Sequence, residues 1–190
     1  MDQRKHTVIH EAGHAVACNE LGIMNDSLSI IPNVEEGSAG GIAVEDSEEV
    51  FFVPPGTDPF SPENQAALQA WAENHAIIDY AGHAAVVVLL GMGDMSDRSA
   101  MRHGAYSDFE NARKRLGNDQ ERMQSGKDLA VAIISARHAD VVSLAEAALK
   151  HGQLDGQEVE VLLQHAQGLI SQEELQTLFP HLLDKPSPRD

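Results

Sequence analysis

A single cysteine, Cys18, stands in the chain, so no internal disulfide framework is available and the fold must close on a hydrophobic core. Such cysteine usage fits a reducing compartment. With no apolar signal region at the N-terminus, the expected location is cytoplasmic. Long apolar runs are also scarce. The longest, residues 84–90, falls far short of the roughly 20 residues that span a bilayer, so no membrane span is expected. Basic residues are outnumbered 30 to 13, and the formal charge of −17 argues against nucleic acid and anionic membranes as partners. Aromatic residues make up only 4%, which leaves packing to Ala, Leu, Val and Ile, as suits a mainly helical protein. There is no phosphate-cradling loop either: Gly126-Lys127 is followed by Asp128 in place of Ser or Thr. The length of 190 residues accommodates a single domain over 1–183, with a proline-containing tail over 184–190 expected to be disordered.

What is present is concentrated near the start, in His10-Glu11-Ala12-Gly13-His14. Histidines at i and i+4 share one helical face and can reach one metal ion. Glu11 projects beside them, placed to accept a proton from water. This is the HExxH pattern of zinc metallopeptidases, with two ligands, a general base and an open coordination position. Val8, Ile9, Ala12, Ala15, Val16 and Leu21 give the segment an apolar surface, and Gly22 supplies a stop. Gly13 lowers helix stability by about 1 kcal/mol relative to alanine, so its presence points to close approach of another segment. Cys18, on the same helix, reads as a small buried hydrophobe rather than a nucleophile.

Further along, residues 27–32 (SLSIIP) read as a strand, 33–38 as a turn and 40–44 (GGIAV) as a returning strand, giving a hairpin. Residues 50–53 suggest a third strand, ended by the prolines and glycine at 54, 55, 56 and 59. Ser61-Pro62-Glu63 is a helix start, and the helix runs to Leu90 before Gly91. Its second half is apolar on all sides, as a buried central helix would be. Residues 94–102 read as a mobile polar loop. A helix begins near Ser107-Asp108, and one long helical pattern covers 126–150. Asp155…Glu158 and Ser171…Glu174 are capping-box patterns that open short helices.

A catalytic zinc normally takes a third protein ligand. A histidine six residues beyond His14 is excluded, because Glu20 stands there and Ala17 stands where a turning glycine would precede it. Glu35, Glu36, His83 and His103 remain as candidates from residue type and spacing. His83 reads more simply as a core histidine and His103 as a surface loop residue. His6, which continues the i, i+4 row, is expected to be exposed at a frayed helix start. Trp71 and Met92 read as packing residues and the acidic stretch 45–49 as solvated.

In order, the chain carries HEAGHA at 10–15, IIP…GG at 30–41, AGHAA at 81–85, GAYSDFENAR at 104–113 and LAEAALKHGQLDGQEVEVLL at 144–163. This series resembles the peptidase domain of the FtsH family of ATP-dependent zinc metalloproteases, over nearly the whole chain from Lys5 to Leu163. Each later motif is weak alone; their order behind HEAGHA is specific. The resemblance implies a mainly α, zincin-like peptidase domain with a small β-hairpin or sheet beside the HExxH helix. It implies Zn2+ bound by His10, His14 and Asp108, the last supplied by the Gly104-Ala105-x-x-Asp108-Phe109-x-x-Ala112 segment, with Glu11 as the catalytic base. An extended peptide would be held by strand addition at Ser29–Ile31 or around Gly41. The sequence lacks the family's AAA+ module. The expected function is thus a stand-alone metalloendopeptidase acting on peptides or unfolded segments, with a separate ATPase partner and homo-oligomerisation as further expectations. His83 and Val86 depart from an arginine and a glutamate usual in the family, and Arg113 from a threonine. Those departures support the alternative, a catalytically weak or inactive metal-binding module that regulates or scaffolds an ATPase or another protein.

Overall fold

A computed structural model describes residues 3–32, 40–44, 58 and 60–183. The first helix, α1 (Gln3–Glu20), packs along the longest, α2 (Pro62–Leu90), and these two carry the core. Their contact is close because Gly13 leaves no side chain between them: a Cβ there would meet the Ala81 carbonyl oxygen and the Ala85 Cβ, each at 2.6 Å. The backbone of one helix thus lies on the other, which is the close approach expected of a glycine in mid-helix.

α2 is bounded as its sequence dictates. The Ser61 hydroxyl accepts from Asn64 N–H, Pro62 opens the helix, and Gly91 closes it in the left-handed conformation at φ +61. From His75 to Val86 only Asp79 keeps partial exposure, so this half is the central buried helix. α5 (Gln120–Ala136) and α4 (Tyr106–Arg115) pack on α2 from another side, and α6 (His138–His151) packs on α1.

The sheet is small and antiparallel, in the order β2-β1-β3, with β1 at Asn25–Ser29, β2 at Gly41–Val44 and β3 at Gln153–Asp155. Leu28 is opposite Ile42 on one side and Leu154 on the other, and it is fully buried. The mainly α architecture with a small sheet beside the HExxH helix is therefore as expected. Three details differ. The segment at Ser29–Ile31 is no open edge, since β1 is paired on both flanks and Ile30 N–H donates to the Gly152 carbonyl. The 94–102 loop contains a helix, α3 (Asp97–Arg102). Ser96 caps it through Ser99 N–H, and Arg113 bonds Asp97 at 2.6 Å. The 126–150 pattern is two helices, α5 and α6, meeting at Arg137. There the backbone leaves helical geometry, and the guanidinium is committed to Glu20, Asn19 and Asp140.

The chain closes with α7 (Gly156–Ala166), α8 (Gln172–Leu178) and α9 (Pro180–Leu183). Both capping boxes form, at Asp155/Glu158 and Ser171/Glu174. The expected turn at 33–38, third strand at 50–53, prolines at 54, 55 and 59, acidic stretch at 45–49 and tail at 184–190 lie outside the described residues. Among the described residues, no helix is long and apolar enough to cross a membrane.

Candidate metal centre

The fold brings His10, His14 and Asp108 together: one potential ligand atom from each lies within 4.8 Å of the others. His10 and His14 reach from successive turns of α1. Asp108 comes from the first turn of α4, where Gly104 at φ +78 turns the chain out of α3. The N-cap of α4 is Ala105, which caps nothing through its side chain. Asp108 could have served as an ordinary helix N-terminal acid. Its carboxylate instead faces the histidines, with Oδ2 at 3.0 Å from His10 Nε2 and 3.7 Å from His14 Nε2. The other oxygen, Oδ1, accepts from the Ser107 hydroxyl at 3.4 Å.

The protonation pattern identifies what the site needs. His14 Nδ1–H donates to the Ile78 carbonyl at 2.7 Å, and a carbonyl can only accept, so in the neutral ring Nε2 carries a bare lone pair. That lone pair faces His10 Nε2 at 3.0 Å and the Asp108 carboxylate. Asp108 Oδ2 is itself buried and receives no hydrogen bond. Electron-rich atoms held this close need positive charge between them.

The ionisation equilibria carry the same demand. Burial opposes charge on His14, yet the nearby Asp108 carboxylate outweighs it and pushes the imidazole up to about 9. Burial would likewise raise Asp108, but His10 and His14 hold it well below the usual carboxylate range.

A metal ion satisfies that demand. Tetrahedral ligands about 2.0–2.1 Å from zinc stand about 3.3 Å apart, and the three separations found here fall on either side of that value. The residues therefore fit a borderline divalent ion.

Room for the site comes from Gly82. A Cβ at this position would sit 2.7 Å from His10 Nε2, 2.8 Å from His10 Cε1 and closer still to His14 Nε2. Gly82 occupies mid-helix on α2, where glycine costs helix stability, and the two imidazoles fill the space its side chain would take.

Glu11 is buried on the same helix. Burial pushes its carboxyl up, His10 and His14 oppose that shift, and Asp108 adds to it. A carboxylate whose proton affinity is raised by burial suits a general base.

The remaining candidates take other places. His83 is fully buried, and its Nε2 lies 2.9 Å from the Asp94 carbonyl and 3.2 Å from Ser99 Oγ, a core position. His103 caps the end of α3, half-buried, and stacks on both His83 and His6. It is neither a bare loop residue nor part of the His10–His14–Asp108 group. His6 lies inside α1, and its Nε2 is buried without a partner, so it is more enclosed than its place in the sequence suggests. Cys18 is fully buried, and burial, helped by Asp79, pushes its thiol up to about 12, consistent with an inert core residue. Glu35 and Glu36 lie outside the described residues. Sequence reasoning missed Gly82 and the Ile78 carbonyl. The first had a signal, a glycine in the middle of a long helical pattern; a backbone carbonyl has none.

No family model matches the chain, and no curated protein matches it.

Proposed function

We propose that the chain is a zinc metallopeptidase domain of the FtsH type, hydrolysing peptide bonds in unfolded segments or peptides. The observation that carries this reading is the convergence of His10 Nε2, His14 Nε2 and Asp108 Oδ2, with Glu11 buried beside them.

Zinc held by His10, His14 and Asp108 would supply Lewis acidity toward a carbonyl oxygen and toward water. The chain's own residues do the rest. The Ile78 carbonyl fixes the His14 tautomer, so that Nε2 always faces the site. Glu11 accepts a proton from water as the peptide carbonyl is attacked and returns it to the departing amide nitrogen, with no net change in its own charge. Its enclosure keeps bulk water from competing for that proton. Among the described residues β2 is bordered on one side only, by β1. Its outer edge is therefore the place for an extended peptide to pair, instead of Ser29–Ile31.

Two variants test the proposal. Wild-type protein should contain near-stoichiometric zinc by elemental analysis, and His14→Ala should contain little. Glu11→Gln should retain zinc and lose about 10²–10⁴-fold in cleavage of an unstructured peptide. Zinc bound without any Glu11-dependent cleavage would transfer the conclusion to a metal-binding scaffold. A wild-type protein that holds no metal after reconstitution would end both readings.

A further inference from the structure

A cleft of about 520 Å3 opens beside the start of α1, its lining residue His6 one helical turn before His10. Its lining includes His6, His103, Met92 and Met101, residues whose side chains carry imidazole and thioether donors. We propose that this cleft is a second metal site, taking a soft monovalent cation, Cu(I), through His6, His103, Met92 and Met101.

The donor set decides the class of ion. Thioethers are poor ligands for hard cations and select Cu(I), with imidazole as a common companion. No carboxylate lines the cleft among the described residues, and the Arg102 side chain stands in its wall. A divalent ion there would meet four neutral donors and a guanidinium, with nothing to offset its charge. A monovalent ion meets half that repulsion, and the chain's charge of −17 draws cations toward the surface.

The imidazoles are already paired. The His6 and His103 ring centroids lie 5.8 Å apart, within 24° of parallel. Two imidazoles that share a metal about 2.0 Å from each nitrogen have centroids roughly 5–6 Å apart, from tetrahedral to linear geometry. His6 Nε2 is buried and has no partner, and a cation would provide one. The His83 ring also stacks on His103, 5.9 Å away, and is tied through Nε2 to Asp94 and Ser99. Met101 is 60% exposed on α3, and Met92 lies just past the end of α2; the unbranched methionine side chain lets a thioether adjust to an ion.

The test is anaerobic titration of the whole chain with a Cu(I) acetonitrile salt against a chromophoric Cu(I) chelator. The wild type should retain one Cu(I) against the competitor. Met92→Leu/Met101→Leu, which keeps side-chain bulk, should weaken it by roughly tenfold or more, and His6→Ala by a similar factor. His14→Ala should bind Cu(I) as the wild type does, which separates this site from the proposed zinc centre. X-ray absorption of the wild type should show both sulfur and nitrogen neighbours, a readout that needs no variant to fold. Undiminished binding by the double leucine variant, loss of Cu(I) in His14→Ala, or a copper spectrum without sulfur would each overturn the proposal.

Discussion

Replacing Gly82 by alanine should damage the proposed metal centre while leaving the fold standing. The new methyl would lie 2.7 Å from His10 Nε2 and nearer still to His14 Nε2. Ordinary contact begins at about 3.5 Å, so both imidazoles would have to withdraw by roughly 1 Å. His14 cannot follow freely, because its Nδ1 is held by the Ile78 carbonyl at 2.7 Å. A functional constellation tolerates displacements of about 0.5 Å, so the two nitrogens could no longer share an ion with Asp108. Zinc affinity should fall by roughly 100-fold or more, at or beyond the upper end of what altered ligand orientation usually costs. Stability moves less, since alanine favours α2 by about 1 kcal/mol while local overpacking costs about 1–3 kcal/mol. Chelator competition should therefore show the large loss, and a thermal melt of the apoprotein only a small one. Wild-type zinc affinity in Gly82→Ala would refute the assignment of this cradle as a metal site.

Two other substitutions probe the fold itself. Gly13→Ala pushes a methyl against the backbone of α2 at Ala81, which cannot turn aside as a side chain can; a loss of about 2–3 kcal/mol is expected in urea unfolding, and an unchanged midpoint would contradict the close helix packing. His75 is buried beside the Trp71 ring at 4.5 Å, and burial, with the Arg115 charge, lowers its imidazole to about 4. Between pH 6.5 and 4 the unfolded chain therefore binds a proton there that the folded chain does not. His75 contributes stability that is present above 6.5 and lost as pH falls toward 4, at up to about 1.4 kcal/mol per pH unit. His75→Gln should flatten the pH dependence of urea stability in that window relative to the wild type, and parallel curves would remove His75 from the account.

Much of this arrangement was legible wherever the deciding interaction is local. The i, i+4 row of α1, the Ser61-Pro62 start and Gly91 end of α2, and both capping boxes depend on neighbours within a turn or two, and each is found as read. What escaped depends on distant partners. β3 is three residues long, too short for any alternation, and exists because β1 offers it an edge. α3 is short and polar and is tied down by Arg113 from the next helix. The break at Arg137 has neither glycine nor proline; its guanidinium reaches back to Glu20 on α1, a contact no sequence window contains.

Asp108 shows why the site needed the fold as well as the motif. Residue type alone left Glu35, Glu36, His83 and His103 as rivals, and only a family resemblance favoured the aspartate. In the structure Asp108 is placed by its neighbour, Phe109, which is almost fully buried. Its ring packs edge-on against Tyr80 at 4.9 Å and His83 at 5.5 Å, both on α2, while Lys127 of α5 lies 4.8 Å from its centroid. That apolar anchor fixes the first turn of α4 against α2. The same stretch of α2 meets α1 through Gly13 and leaves the imidazoles their space at Gly82. α2 thus acts as a spacer with α1 on one side and α4 on the other, so the side chain next to Phe109 is delivered to His10 and His14. Neither helix end carries that information by itself. It resides in two glycines and one phenylalanine that lie outside the His10–His14–Asp108 group.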